Sequence, residues 1–282
     1  DAPDFNFGLE ARLKAAGIPT VHFVSPSIWA WRPERIERIR QAVSHMLVVF
    51  PFEEKVYQDA GIPVSYVGHP LADVIPFEPD TAGARAELGL ASGPVIALLP
   101  GSRLSEVKRH ARLMLDAAGL IRRRYPDAQF VLPAANPAAA RLIEQARRSL
   151  AFPVQVLAGR SHVAIAASDV TLVASGTATL ETALFKKPMV IAYRVPALTA
   201  YLMRRQALLP WVGLPNILAR DSVVPERLQE AATPENLAND ALAWLDDAPR
   251  RHAAIETFQT MHRSLRQDAG GRIAGAIAPY LG

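Results

Sequence analysis

Asp169-Val-Thr-Leu-Val-Ala-Ser-Gly-Thr-Ala-Thr-Leu-Glu181 is the stretch that decides the fold. The short apolar run Val170 to Ala174 reads as a buried parallel strand. It breaks at Ser175-Gly176-Thr177 and resumes as a helix-forming run from Ala178 to Phe185. The result is a strand, a tight turn of small residues and a helix N-terminus. The first N–H groups of such a helix have no intrahelical acceptor and lie at the positive end of its dipole. Phosphate suits that geometry, and Gly176 allows it close to the backbone. Glu181 follows about one and a half turns later, where a carboxylate can accept bonds from sugar hydroxyls. The alternative is plain: Ser175-Gly176-Thr177 can simply cap a helix, and Glu181 can be a solvated residue.

Outward from this motif, strand and helix patterns alternate along the chain, the mark of doubly wound α/β architecture. Upstream, helix is expected at 6–17, strand at Thr20–Val24, helix at Pro33–Ala42 and strand at Met46–Phe50. A helix at Phe52–Ala60 and a strand at Val64–Val67 then lead to Gly68-His69-Pro70. Pro76 to Gly83 is turn-rich and without periodicity, and reads as a linker. A fresh α/β run follows, with strands at Val95–Leu99, Phe130–Pro133, Val154–Leu157 and Met189–Tyr193. Its helices fall at Ala84–Leu90, Val107–Tyr125, 137–150 and 161–167, and the region from Pro234 onward reads as helical. Residues 1–75 therefore read as the remaining half of an N-terminal Rossmann-like domain, 76–83 as linker and 84–260 as a complete C-terminal one. A helical tail, 261–282, is left free to pack back on the first domain. Two such domains facing each other place a ligand cleft between the carboxyl ends of their strands. The opening Asp1-Ala-Pro-Asp-Phe-Asn carries no initiator Met and reads as a loop after a strand, so the chain is expected to begin inside a domain.

Composition narrows the function. Half of the 282 residues are hydrophobic and 21% are charged, as in a globular protein. Cysteine is absent, which excludes disulfides, thiol catalysis and zinc–thiolate sites. No apolar run reaches the ~18 residues of a membrane-crossing helix, and no signal peptide is visible at the first residues. The net charge is +4 and arginine outnumbers lysine. The basic residues are scattered, without an aromatic-studded basic strand, which argues against nucleic acid. No grouping has metal-ligand spacing, so chemistry without a metal or other cofactor is expected.

Several residues sit where chemistry would be placed. Leu98-Leu-Pro-Gly-Ser-Arg103 is a second strand-to-helix turn in the same domain. Gly101 and Ser102 allow close approach, and Arg103 can fork onto a diphosphate. Two such turns on neighbouring strand ends can hold one diphosphate from both sides. Neither is a Walker loop or a GxGxxG, which disfavours ATP hydrolysis and nicotinamide chemistry. Ser25-Pro-Ser-Ile-Trp-Ala-Trp31-Arg32 follows another strand end. Trp29 and Trp31 can lie on a ligand or at a membrane interface, or one of them can be core. His69 can meet a substrate or merely brace the chain. Asp1 and Asp4 lie where a general base for a hydroxyl nucleophile could sit, or are solvated terminal residues. Arg204-Arg205, within an apolar stretch, can seat a peripheral protein on anionic lipid; the competing reading is a buried helix with a basic outer edge. Asn216, in Leu214-Pro-Asn216, can bond a substrate or its own loop.

Taken together these segments resemble the lipid-A-disaccharide synthase family. The carrying residues are Asp1-Ala-Pro-Asp-Phe-Asn, Val24 to Arg32, Val67-Gly-His-Pro70, Leu98 to Arg103, Ala174 to Glu181 and Leu214-Pro-Asn216, in the family's order and over nearly the whole chain. The resemblance implies a GT-B fold: two facing Rossmann-like domains, the first incomplete here, with the donor nucleotide on the second. It implies transfer of 2,3-diacylglucosamine from its UDP conjugate to 2,3-diacylglucosamine 1-phosphate, forming a β-1,6 bond by inversion without a metal. It assigns Asp1 as the base for the acceptor hydroxyl and Arg103 as the group that offsets charge on the leaving diphosphate. Gly101, Ser102, Ser175, Gly176, Thr177, Glu181 and Asn216 are assigned to the UDP donor. Ser25, Trp29, Trp31 and His69 then fall to the acceptor or the cleft. Arg204 and Arg205 fall to an anionic membrane surface. The implied location is the bacterial cytoplasm, peripheral on the inner face of the membrane, with homo-oligomers allowed. The family's upstream Gly-Glu-x-Ser-Gly-Asp turn is missing, which implies a chain that keeps UDP binding and puts transfer in question. Two other readings stand beside it: a UDP-sugar 2-epimerase of the same fold, and a UDP-binding module without catalysis.

Overall fold

The protein is described by a computed structural model over residues 3–281. It divides into two compact units. Unit 1 comprises the residues up to Val74, Tyr201–Pro210 and the segment from His262 on; unit 2 comprises Ile75–Ala200 and Trp211–Met261.

The chain opens with α1 (Pro3–Ala15), then β1 (Val21–Phe23), α2 (Ile36–Ala42), β2 (His45–Val48), α3 (Glu53–Asp59), β3 (Val64–Tyr66) and α4 (Pro70–Val74). The three strands form a parallel sheet in the order β1-β2-β3. Phe7, Ile28, Ile39, Met46, Val48 and Tyr57 pack its core. Asp4 is therefore helical rather than part of a loop after a strand. Its exposed carboxylate pairs with Arg35 and Arg38, and the first-turn N–H groups of α1 favour an acid there.

Unit 2 begins its regular structure with α5 (Thr81–Leu88), and β4 (Val95–Leu99), α6 (Leu104–Arg124), β5 (Gln129–Ala134), α7 (Pro137–Arg147), β6 (Gln155–Ala158) and α8 (Ser161–Ala167) follow. Then come β7 (Val170–Ala174), α9 (Thr177–Leu184), β8 (Met189–Tyr193), α10 (Ala197–Gln206), α11 (Leu214–Ala219), β9 (Glu226–Leu228) and α12 (Pro234–Asp246). All six strands are parallel, in the order β6-β5-β4-β7-β8-β9. Counted within the unit this is the Rossmann order 3-2-1-4-5-6. β4 and β7 are buried at every position, which explains their uninterrupted apolar sequence. Trp244 of α12, 1% exposed, donates its indole N–H to the Met189 carbonyl and anchors α12 to the sheet.

The expected linker 76–83 is too long. The Asp80 carboxylate accepts the Gly83 N–H, so a helix cap forms and α5 begins at Thr81. The rest is tied down as well. Lys186 lies over the Phe77 ring, and Lys187 donates to Thr81 Oγ1 at 2.8 Å. Burial pushes the Lys187 pKa down to about 8.

The chain ends in α13 (Ala248–Leu265) and α14 (Ala269–Ile277). Within unit 1, Leu265 accepts the His69 N–H at 2.9 Å, Ser264 accepts the Tyr66 hydroxyl, and Asp73 accepts the Ala269 N–H. Gly68, at φ +83°, passes so close that a Cβ would lie 2.8 Å from the Leu265 carbonyl oxygen. The glycine of Gly68-His69-Pro70 is required by this docking of backbone on backbone.

Candidate nucleotide site

In unit 2 the strand order reverses between β4 and β7, and crevices at such switch points are where doubly wound sheets bind ligands. A cavity of about 410 Å³ opens there, lined by Pro100 to Arg103 after β4, Ser175 to Ala178 after β7, and Gly159 and Ser161 after β6. Glu106 and Glu181 also line it. The two turns singled out in the sequence are thus brought together.

They are not equivalent. Beyond β7, Gly176 (φ 148°) is the N-cap of α9 and offers no side chain to the helix end. Among the described residues no protein group accepts the N–H of Gly176, Thr177 or Ala178. Nothing lies within 4 Å of where a Gly176 Cβ would stand. The dipole and three free donors therefore face an open space that fits an anion.

Beyond β4 two of the donors are already engaged. Glu106 accepts the N–H groups of Ser102 and Arg103 and, at 2.7 Å, the Arg103 guanidinium. Burial acts to raise the Glu106 pKa, but the bonds and charge of Arg103 outweigh it and hold the carboxyl below its usual value. Gly101 (φ 110°) is compulsory, since a Cβ would sit 2.5 Å from the Glu106 carboxylate. This turn offers the cavity an exposed Arg103 side chain, with the N–H groups of Ser102 and Arg103 already taken by Glu106.

Glu181 is half-buried on the cavity wall, with His162 Nε2 3.4 Å from its carboxylate and the His162 ring against Phe185. Glu106, His162 and the Gly159–Ser161 turn were not singled out in the sequence. The available signal was the repetition of one pattern: Ala158-Gly-Arg-Ser161 is a third strand-to-helix turn with a glycine at its start. Asn216 lies elsewhere. It is 1% exposed, and its amide is engaged by the Val224 N–H, the Val224 carbonyl and Glu226. It braces its own loop, and a group so buried and saturated does not reach the cavity.

The unit 1 candidates also separate. Ser25 is buried, with its hydroxyl bonded to Tyr57 Oη at 2.6 Å inside unit 1. Trp29 is half-buried, edge-on to Phe50 and Phe52, and donates to Glu53 at 2.8 Å. Trp31 is 40% exposed under the Arg32 guanidinium. His69 Nδ1 accepts the Leu71 N–H, and burial lowers its pKa to about 4, so it is neutral near pH 7. The buried-helix reading of the Arg204-Arg205 segment does not hold. Leu198, Tyr201 and Leu202 of α10 are 72%, 56% and 48% exposed, and Arg205 lies over the Tyr201 ring. Arg204 is helical in its backbone; Asp1, the proposed base, lies outside the described residues. Among the described residues there is no group of acidic and histidine side chains that could hold a metal ion, and no helix long and apolar enough to cross a membrane.

The model of the lipid-A-disaccharide synthetase family matches residues 1–277. The chain belongs to that family. It is 73% identical over 281 residues to the lipid-A-disaccharide synthase of Thiobacillus denitrificans, covering all of this chain and 76% of the relative. Among solved structures, a UDP-GlcNAc 2-epimerase from Neisseria meningitidis bound to UDP-GlcNAc aligns with TM-score 0.63 at 14% identity, over 97% of this chain and 73% of that one. WaaG, a glycosyltransferase involved in lipopolysaccharide biosynthesis, aligns with TM-score 0.55 at 15% identity, over 94% and 80%. At such identities these two likenesses concern the fold, which is GT-B. Synthase family membership makes the protein a hexosyltransferase of lipid A formation and sets the epimerase reading aside.

Proposed function

We propose that the cavity between β4 and β7 holds the diphosphate of a UDP-diacylglucosamine donor, from which the sugar passes to diacylglucosamine 1-phosphate. The observation that carries this reading is the α9 N-terminus, three unpartnered N–H groups facing an open cavity. Glu181 is suited to the ribose hydroxyls, and Arg103 stands at the rim. An acceptor hydroxyl attacks the anomeric carbon in line as UDP departs, with inversion, and Asp1 takes its proton. Charge growing on the leaving diphosphate is met by the α9 dipole and Arg103, which favours the transition state over the ground state. This division of labour needs no metal.

Alanine at Arg103 or at Glu181 is expected to weaken UDP binding by about 1–3 kcal/mol, the range for bonds to charged groups. Calorimetric titration of UDP into the two variants checks this, and unchanged affinity in both overturns the donor assignment. Incubation with donor and acceptor separates transfer from binding alone: disaccharide supports the synthase, and UDP binding without product supports a binding module.

The exposed apolar side chains of α10 with Arg205 support a peripheral seat on anionic lipid at the inner face of the cytoplasmic membrane. Charge reversal at Arg204 and Arg205 is expected to reduce pelleting with phosphatidylglycerol vesicles. Equal pelleting of variant and parent rejects that seat.

A further inference from the structure

The carboxyl edge of the unit 2 sheet carries a second, shallow and open concavity. It is lined by Lys108 and Arg109 of α6, by Arg194 just past β8, and by Gln229 and Glu230 just past β9. We propose that Lys108, Arg109 and Arg194 bind the phosphate monoester of the acceptor, at a subsite separate from the nucleotide cavity; this rests on the transfer reading given above.

Charge is the first argument. Three cations face one carboxylate, Glu230, in this groove. Some other arginines of unit 2 have acidic partners, such as Arg85 with Asp169, Arg112 with Asp116 and Arg227 with Asp240. In the groove, among the described residues, Lys108 has no ion-pair partner. Arg109 donates only to the Ser105 carbonyl, and the Arg194 guanidinium only to the Ala232 carbonyl. A surplus of two positive charges on a concave surface suits one dianionic group.

The second argument is that the groove is built. His110 is 1% exposed, and burial lowers its pKa, so it stays neutral. Its Nδ1–H donates to the Glu106 carbonyl and its Nε2 accepts the Arg194 N–H at 3.0 Å. That bridge fastens the exit of β8 to α6 and holds Arg194 beside Lys108 and Arg109. Gln229 Oε1 accepts the Val195 N–H, leaving the amide NH₂ as a further donor.

The third argument concerns what the ligand carries besides its phosphate. The groove has no free helix N-terminus and no aromatic side chain to suit a nucleotide. Past Val195 the chain enters α10, where Leu198 is 72% exposed. A phosphate site followed at once by an exposed apolar residue matches an acylated sugar phosphate.

The test uses the whole chain and calorimetry with three ligands: UDP, a short-acyl diacylglucosamine 1-phosphate, and the same sugar without phosphate. The parent is expected to prefer the phosphorylated sugar by about tenfold or more, as for a charge-assisted site. Lys108→Ala with Arg109→Ala, both on the exposed face of α6, is expected to abolish that preference and leave UDP affinity unchanged. Equal affinity of the parent for the two sugars, or a preference that survives the double replacement, overturns the subsite. So does loss of binding to phosphatidylglycerol vesicles with the sugar preference intact, which marks a lipid head-group site instead. Failure of UDP to bind the parent, with the sugar preference present, rejects the nucleotide assignment and leaves this one standing.

Discussion

Alanine at Glu53 is expected to lower the stability of unit 1 by about 3–5 kcal/mol, because it strands buried donors that have no other acceptor. Glu53 is 1% exposed at the start of α3. Its carboxylate accepts the N–H groups of Val49 and Phe50, at 3.1 and 2.9 Å, and the Trp29 indole N–H at 2.8 Å. Each buried donor left open costs ~1–3 kcal/mol, and the three are close enough not to add fully. Glutamine is not a remedy, because its NH₂ would face one of these donors. A pH signature accompanies the loss. Burial raises the Glu53 pKa to about 7, against the pull of those hydrogen bonds. The folded state therefore binds this proton more tightly than the unfolded chain does. The associated stability is complete below the usual glutamate range and falls away as pH rises through about 7. Urea unfolding at pH 5 and pH 8 is expected to show that decline in the parent and not in Glu53→Ala. A variant midpoint equal to the parent's would show that the carboxylate holds nothing together.

Valine at Gly176 is expected to reduce UDP affinity by about a hundredfold, ~2.7 kcal/mol, while the protein still folds. The open space around this position means that no clash opposes the new side chain. Its φ of 148° strains any β-branched residue, at about 1–3 kcal/mol. The branched side chain would stand over the unpartnered N–H groups of α9, where the proposed diphosphate belongs. Titration of UDP, with circular dichroism to confirm folding, checks this. Parent-like affinity would move the phosphate site away from α9.

These two residues show what could be read in advance. Gly176 and the strand before it were legible because a fully buried parallel strand needs an unbroken apolar run, and the turn after it needs small residues. The strands Val170–Ala174 and Met189–Tyr193 fall where the sequence puts them. Glu53 was silent, since a glutamate at a helix start looks solvated until the neighbouring strand end closes over it. Asn216 and Ser25 illustrate the same limit. A polar side chain near a strand end or loop can face ligand or core, and only distant partners such as Glu226 and Tyr57 decide. The opening residues misled for another reason: Pro3-Asp4 starts a helix whose acidic first turn is answered by Arg35 and Arg38, over 30 positions away. The exposure of α10 was open because its apolar residues surround the helix instead of forming one stripe, which fits burial and a lipid-facing surface alike.

The division of unit 1 into three stretches of chain has a consequence for how the protein is made. Unit 2 is nearly continuous in sequence, interrupted only at Tyr201–Pro210. Its six strands, between Val95 and Leu228, can pair while synthesis is still under way. Unit 1 lacks the partners of Gly68, His69 and Asp73 until Leu265 and Ala269 have emerged. Its contacts span nearly two hundred residues, and closing such loops is slow. The three-stranded sheet therefore gains these contacts only once the segment from His262 on has been made.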